Sequence, residues 1–170
     1  MLSLEVAKTE CQLTQLLELV YSYDGPGLQP SLDLIALTWD QFGKVFRDRG
    51  TAFRVVKDGI LVGGCWVELC GDVLRIHGLM VKASYRKQGI GTWVLNTLQR
   101  IYAGRVQMIE LDVHRSKSAA IALYEKLGFE LEDAMAESGF YHMRKWLQPV
   151  SQPDAAIKIA NLRRLRQLNP

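Results

Sequence analysis

Residues 88–92, with the sequence QGIGT, have the residue types that a phosphate-binding turn requires. Glycine lets the backbone approach an anion closely and adopt turn conformations that other residues avoid. An apolar helical periodicity follows, and the N-terminus of a helix offers free N–H groups and the positive end of its dipole. Lys82, Arg86 and Lys87 add positive charge nearby. The segment predicts an anion site, although two glycines can also form a simple strand-to-helix turn.

Two other phosphate-binding motifs do not fit this segment. The dinucleotide fingerprint requires a third glycine three residues after the second, where Val94 stands. The P-loop requires Gly-Lys-Ser/Thr, whereas Gly91 is followed by Thr92 and Trp93. These departures disfavour a nucleotide-binding protein of another fold, which would bind NAD or ATP and not coenzyme A.

The elements that position this turn follow from hydrophobic periodicity and turn residues. Strands are predicted at 3–7, 53–56, 60–69, 73–81, 108–113, 129–131 and 140–144, and helices at 11–21, 89–102 and 118–127. A break is expected at 24–27, before a further helix that Ser31 or Asp33 caps. Three consecutive antiparallel strands, then a crossover helix and another strand, predict an α/β (α+β) fold with a mixed sheet and helices on its faces.

Two ordered motifs resemble the GNAT superfamily of N-acetyltransferases. Arg86, Gly89 and Gly91 match the family's R/Q-x-x-G-x-G/A motif, and residues 123–129 (LYEKLGF) match its tyrosine-and-glycine segment. The resemblance extends over about 52–145. It implies a mixed, mostly antiparallel central sheet with helices on both faces, in which the strands at 73–81 and 108–113 splay apart.

The resemblance implies that acetyl-CoA is the co-substrate. Backbone groups of the strand at 79–81 would pair with the pantetheine arm, and amides of the turn would hold the pyrophosphate. A bulge near Leu79 would free an N–H to polarise the thioester carbonyl. The family often has asparagine where Lys117 stands, so an ammonium group replaces an amide there. The implied cofactor-binding residues are Leu79, Met80, Val81, Arg86, Lys87, Gln88, Gly89, Ile90, Gly91, Thr92, Lys117 and Tyr124.

By the same resemblance, the reaction is acetyl transfer to a primary amine by direct attack in a ternary complex. Tyr124 is the predicted acid for the departing thiolate, because a phenol with a pKa of about 10 is protonated at neutral pH. The alternative interpretation is a packed helix tyrosine.

His77 is the predicted base, since an imidazole with a pKa of about 6.5 accepts a proton at physiological pH. It stands four residues before Val81, which places both side chains on one face of a regular strand. The strand also looks like the equivalent strand of arylalkylamine acetyltransferases, where histidines serve this role. A structural histidine, Glu68 or Glu110 acting through water, or no dedicated base remain open alternatives.

Several aromatic residues are candidates for the acceptor pocket. Trp39, Phe42 and Phe46 recur at helical spacing, which is typical both of a core face and of a pocket wall. Tyr141 and His142, near the last strand, are further candidates for the acceptor side.

The chain length, the resemblance and the distribution of charge together predict the domain organisation. Of the 170 residues, we assign 1–148 to one acetyltransferase domain and 149–170 to a linker and a basic C-terminal helix or tail, which carries the whole net charge of +3. A neutral body argues against nucleic-acid binding, and the sequence lacks an apolar run of membrane-spanning length or a signal peptide. Three cysteines without a CxxC pair favour neither a disulfide framework nor a metal site, and indicate the cytoplasm.

The phosphate-binding turn is also compatible with a second function, in which acyl-CoA is bound but no acetyl group is transferred. A non-catalytic acyl-CoA-binding sensor or interaction module, acting through the basic tail, needs neither Tyr124 nor a base. The acceptor amine, whether a small molecule or a protein amine, cannot be named from the sequence. The oligomeric state is also open, with a homodimer as one option because the family often dimerises.

Overall fold

A computed structural model describes residues 1–34, 38–135 and 139–147 of the chain. The strands are β1 (Leu2–Val6), β2 (Thr51–Lys57), β3 (Ile60–Cys70), β4 (Val73–Val81), β5 (Met108–His114), β6 (Glu130–Met135) and β7 (Phe140–Trp146). The helices are α1 (Glu10–Leu34), α2 (Trp39–Asp48), α3 (Ile90–Tyr102) and α4 (Ser118–Lys126), with a 3-10 turn at Ala83–Tyr85. This order confirms the predicted succession of elements. The predicted linker and basic tail at 149–170 lie outside the described residues.

The prediction of a chain break at residues 24–27 is wrong, because α1 runs on to Leu34. The first half of this helix buries Leu16, Leu17 and their neighbours, and extending a packed helix is easier than nucleating one. The next helix begins after Thr38, not at Ser31 or Asp33. Thr38 and Gln41 form a reciprocal capping box, in which the Gln41 N–H donates to Thr38 Oγ1 at 3.3 Å and the Thr38 N–H to Gln41 Oε1 at 2.8 Å.

The seven strands form one sheet in the order β1-β2-β3-β4-β5-β7-β6. All neighbours are antiparallel except β4 and β5, so the sheet is mixed and mostly antiparallel, as predicted. The parallel pairing of β4 with β5 begins at Val73 and Met108 and ends at Ile76 and Leu111. Beyond that point the two strands diverge, which confirms the splayed strand pair.

Helices cover both faces of the sheet. Phe53, Cys65 and Val67 lie in a large apolar cluster with α3 and α4, whereas the adjoining Ala52 and Trp66 lie in a second cluster with α1 and α2. Because successive strand residues point to opposite faces, the two clusters occupy opposite sides of the sheet. We call them the α3/α4 face and the α1/α2 face.

Phe46 belongs to the core of the α1/α2 face. It is 3% exposed and its ring centroid lies 5.2 Å from that of Trp66. Phe42, also a predicted pocket residue, is partly buried against the same cluster. The side chain of Trp39 lies outside the described part of the chain.

We expect Phe46→Ala to lower the free energy of unfolding by about 3 to 5 kcal/mol, because it removes a buried ring and leaves a cavity. Urea denaturation followed by circular dichroism would measure the loss. Ile101→Ala is the control, since Ile101 is 45% exposed on α3. Equal losses in the two variants would contradict a core role for Phe46.

Candidate functional site

The turn before α3 has the backbone geometry of an anion cradle. Lys87 and Gly89 adopt the left-handed conformation, with φ of 57° and 76°. Gly89 is the N-cap of α3, and its carbonyl accepts the hydrogen bond of the Trp93 N–H at 2.9 Å. The backbone N–H groups of residues 90–92 therefore precede the first intrahelical bond and point out of the helix end. They are suited to bind phosphate oxygens.

The two glycines of the cradle have different surroundings. A Cβ atom at Gly89 would meet no atom within 4 Å, so this side of the turn is open. A Cβ at Gly91 would lie 3.0 Å from Leu123 Cδ2 of α4. Gly91 thus allows α4 to approach α3 closely, and α4 carries Tyr124.

Polar side chains fix the turn to the sheet. Arg86 Nε donates to the Val81 carbonyl at 3.2 Å, and Gln88 Nε2 donates to the Ser84 carbonyl at 3.2 Å. Lys57 Nζ, from the end of β2, donates to Gln88 Oε1 at 3.0 Å. Sequence reasoning missed Lys57 as a cation of the cradle, because its proximity depends on strand pairing and not on a local motif.

A β-bulge lies where β4 leaves β5. Trp66 of β3 is opposite Gly78, whereas the adjacent Val67 is opposite Ile76, so the register omits His77. Such an extra residue disrupts the ladder locally and frees backbone groups from it. The bulge implied near Leu79 is thus present two residues earlier.

Tyr124 is buried beside the divergence of β4 and β5. It is 8% exposed and packs against Phe129, with ring centroids 5.7 Å apart. Burial, with a further contribution from Cys65, raises the pKa of Tyr124 to about 12. Cys65 is opposite Leu79 in the β3–β4 ladder. Tyr124 therefore lies near the free segment of β4, which is the part beyond Ile76 that no longer pairs with β5. The phenol remains protonated at neutral pH.

His77 lies on the α1/α2 face, so the prediction that it shares a face with Val81 is wrong. Ile76 and Leu79 both pack into the α3/α4 cluster although they are three residues apart. The bulge between them inserts one residue and reverses the alternation of side chains. The His77 ring therefore stacks on Trp66, with centroids 4.3 Å apart and planes at 26°.

The environment of His77 favours the neutral imidazole. Burial is the main cause that lowers its pKa, and Arg75 lowers it further, while Glu68 and Asp112 act in the opposite direction. The Nε2 atom lies 2.9 Å from Glu68 Oε2. The side chain is 26% exposed, so part of the ring remains accessible.

Glu110, an alternative base, belongs to an ion-pair group on the α1/α2 face of β5 and β7. Its carboxylate lies 3.1 Å from Arg75 Nε and 3.5 Å from Arg144 Nε, and its side chain is 12% exposed. His142 Nδ1 lies 2.6 Å from Asp112 Oδ1. Arg75 and Arg144 therefore hold the Glu110 carboxylate within this ion-pair group. Sequence reasoning missed the pairing of Asp112 with His142, which the β5–β7 register creates.

Lys117 is the residue that precedes α4. Its backbone N–H donates to the His114 carbonyl at 2.9 Å, and its carbonyl accepts from the Ala120 N–H at 2.9 Å. The backbone thus fixes Lys117 at the helix start. A contact between its ammonium group and a cofactor stays a prediction.

The sequence model of the Acetyltransferase (GNAT) family matches residues 13–129. This match covers more than half of the chain, and the fold and the cradle agree with it. The chain belongs to the GNAT acetyltransferase family.

Among curated proteins, the chain is similar to the ribosomal protein bS18-alanine N-acetyltransferase of Escherichia coli strain K12. The two are 29% identical over 97 residues, which cover 55% of this chain and 66% of that protein. The match therefore spans slightly less than two thirds of the relative.

Solved structures with low sequence identity share the fold. A GNAT acetyltransferase from Elizabethkingia anophelis with acetyl-CoA bound superposes with a TM-score of 0.66 at 14% identity, covering 86% of this chain and 98% of that chain. The PaiA N-acetyltransferase of Thermoplasma acidophilum in complex with coenzyme A gives a TM-score of 0.65 at 20% identity, covering 85% and 99%. In the described part of this chain, no helix has the length and apolar character to cross a membrane.

Proposed function

We propose that this protein transfers the acetyl group of acetyl-CoA to a primary amine by direct attack in a ternary complex. The divergence of β4 from β5 after Ile76 and Leu111 carries the proposal. In the proposed complex, the pantetheine arm lies between these two strands and extends from the cradle before α3 towards Tyr124. The free backbone of β4 there can pair with amide groups of a pantetheine arm as it would with a strand.

The side chains have separate roles in the transfer. His77 takes a proton from the acceptor ammonium, which gives the nitrogen a lone pair for the new N–C bond. A backbone N–H freed by the bulge stabilises the charge that develops on the carbonyl oxygen. The attacking nitrogen loses its second proton to solvent as the tetrahedral intermediate collapses to the amide. Tyr124 donates its proton to the sulfur as the C–S bond breaks, and solvent returns a proton to the phenolate. Bound acetyl-CoA supplies the activated acetyl group.

The first acceptor class to test is the N-terminal amine of a protein. The curated relative is named for acetylation of an alanine in a ribosomal protein, which supports this choice. A peptide that begins with alanine, the same peptide with a blocked N-terminus, lysine and a polyamine form a suitable panel. Release of free coenzyme A thiol measures turnover.

Turnover with any free amine, and none with the blocked peptide, would support the enzyme. Binding of acetyl-CoA without turnover on the whole panel would instead support the acyl-CoA-binding sensor. The absence of any thermal stabilisation by acetyl-CoA would overturn both.

We expect Lys57→Ala to raise the KM for acetyl-CoA about fivefold, because it removes a cation beside the cradle worth about 1 kcal/mol. The increase should shrink at high ionic strength, since salt screens a half-exposed charge. Lys145→Ala is the matched control, because Lys145 Nζ also donates to a glutamine, Gln99, at 2.9 Å. An equal KM change in both variants would contradict a role for Lys57 at the cofactor.

A further inference from the structure

We propose that Glu68 is a positioning residue that fixes the tautomer of His77 and directs its Nδ1 lone pair to the acceptor amine. The inference rests on the proposed transfer reaction, in which His77 is the base. It reassigns Glu68, a candidate base in its own right, to a supporting role. One hydrogen bond, one ring contact and the bulge support this role.

The hydrogen bond determines which nitrogen carries the proton. Glu68 Oε2 lies 2.9 Å from His77 Nε2. An ionised carboxylate can only accept, so Nε2 must donate its hydrogen. In a neutral imidazole the other nitrogen, Nδ1, then holds the lone pair. Glu68 therefore selects the nitrogen that is able to take a proton.

Trp66 restricts the plane of the imidazole ring. The two rings stack with centroids 4.3 Å apart, and Trp66 is itself only 6% exposed. The indole Nε1 donates to the Arg49 carbonyl at 2.6 Å, which fixes the orientation of the indole. With one face on Trp66 and Nε2 on Glu68, the ring presents its remaining edge in a single orientation.

The bulge explains why Glu68 and His77 meet. Glu68 is opposite Arg75 and Trp66 is opposite Gly78, so the extra residue His77 lies between these two cross-strand pairs. Gly78, which is opposite Trp66, has no side chain that could cover the indole. The imidazole therefore has room to lie against Trp66.

The charges around His77 determine the sign of the expected pH effect. Glu68 of β3 and Asp112 of β5 raise the pKa of His77, and Arg75 of β4 lowers it together with burial. A base works only when it is unprotonated, so activity is lost as the pH falls through its pKa. Removal of the Glu68 charge lowers that pKa, so the acidic limb of the rate profile moves to lower pH.

The pH dependence of kcat and of kcat/KM tests the inference, with the acceptor from the amine panel that gives the highest turnover. Glu68→Ala should lower kcat about ten- to a hundredfold, a part of what a positioned base contributes, with little change in the KM for acetyl-CoA. Glu68→Gln keeps an oxygen that can accept from Nε2, so it should recover part of kcat. The acidic limb should move to lower pH in both variants and vanish in His77→Ala.

A control and a spectroscopic measurement separate this inference from the proposed reaction. Glu10→Gln, which removes a carboxylate paired with Arg47 at 2.7 Å, should leave kcat and the pH profile unchanged. Nitrogen NMR of the His77 ring should show the Nε2–H tautomer in the unmodified protein and a lower pKa in Glu68→Gln.

These measurements assign each failure to one proposal. An Nδ1–H tautomer, or a pKa of His77 that Glu68→Gln leaves unchanged, would overturn the positioning role even without turnover. Unchanged kcat and an unshifted limb in Glu68→Ala would also overturn it. An unmodified protein that acetylates no amine would refute the reaction, while the NMR result would still decide the role of Glu68.

Discussion

Gly89→Trp is expected to abolish the thermal stabilisation of the protein by acetyl-CoA. Gly89 has a φ of 76° and open space where a Cβ would stand, so an indole would project into the open side of the cradle. There it would cover the backbone N–H groups of residues 90–92. At a ligand concentration of 100 Kd, the stabilisation lost is about 2.7 kcal/mol.

The substitution also has a cost without ligand. A non-glycine residue in the left-handed region costs roughly 1 to 2 kcal/mol. Gly71→Trp is the matched control, because Gly71 has a φ of 63° and equally open surroundings in the β3–β4 hairpin. Both variants should melt earlier than the unmodified protein, measured by differential scanning fluorimetry. Only Gly71→Trp should keep the shift caused by acetyl-CoA, and a retained shift in Gly89→Trp would contradict the cradle assignment.

The elements of the sheet were predictable because their signals are local. Alternating apolar residues and glycine turns predicted β2, β3 and β4, and the order of strands and helices predicted a mixed sheet. The turn before α3 was predictable for the same reason, since Gly89 adopts a left-handed conformation that glycine reaches most easily. Both features depend on a few adjacent residues, where backbone sterics dominate.

Non-local contacts account for what the sequence did not predict. Period-two alternation gave the wrong face for His77, because the bulge depends on how β4 pairs with β3. The contact of Lys57 with Gln88 joins residues far apart in the chain. The proline and glycines at 24–27 predicted a break, but helix propagation from the packed half of α1 outweighed local propensity.

Tyr124→Phe is expected to lower kcat about a hundredfold or more, because it removes the proton donor for the departing thiolate. The KM for acetyl-CoA should change little, since the ring and its packing against Phe129 are retained. The melting temperature should also stay close to that of the unmodified protein. The rate of release of free coenzyme A thiol, measured at fixed times with and without acceptor, gives the effect on kcat.

The pH dependence adds a second test of Tyr124. A general acid acts only while protonated, so its contribution is lost as the pH rises through its pKa. Because burial raises the pKa of Tyr124 to about 12, no basic limb from this residue should appear in the neutral and mildly alkaline range. A basic limb there that Tyr124→Phe removes would contradict the raised pKa.

Tyr102→Phe separates chemistry from packing. Tyr102 is 7% exposed and lies in the same apolar cluster as Tyr124, but at the C-terminal end of α3. Each variant loses one hydroxyl from a buried tyrosine, so any general effect on the core should be similar in both. If kcat falls only in Tyr124→Phe, the fall in kcat results from removal of the Tyr124 hydroxyl and not from a change in core packing. Equal losses would mean that Tyr124 is a packed helix tyrosine, and the proton of the leaving thiol would then have to come from solvent.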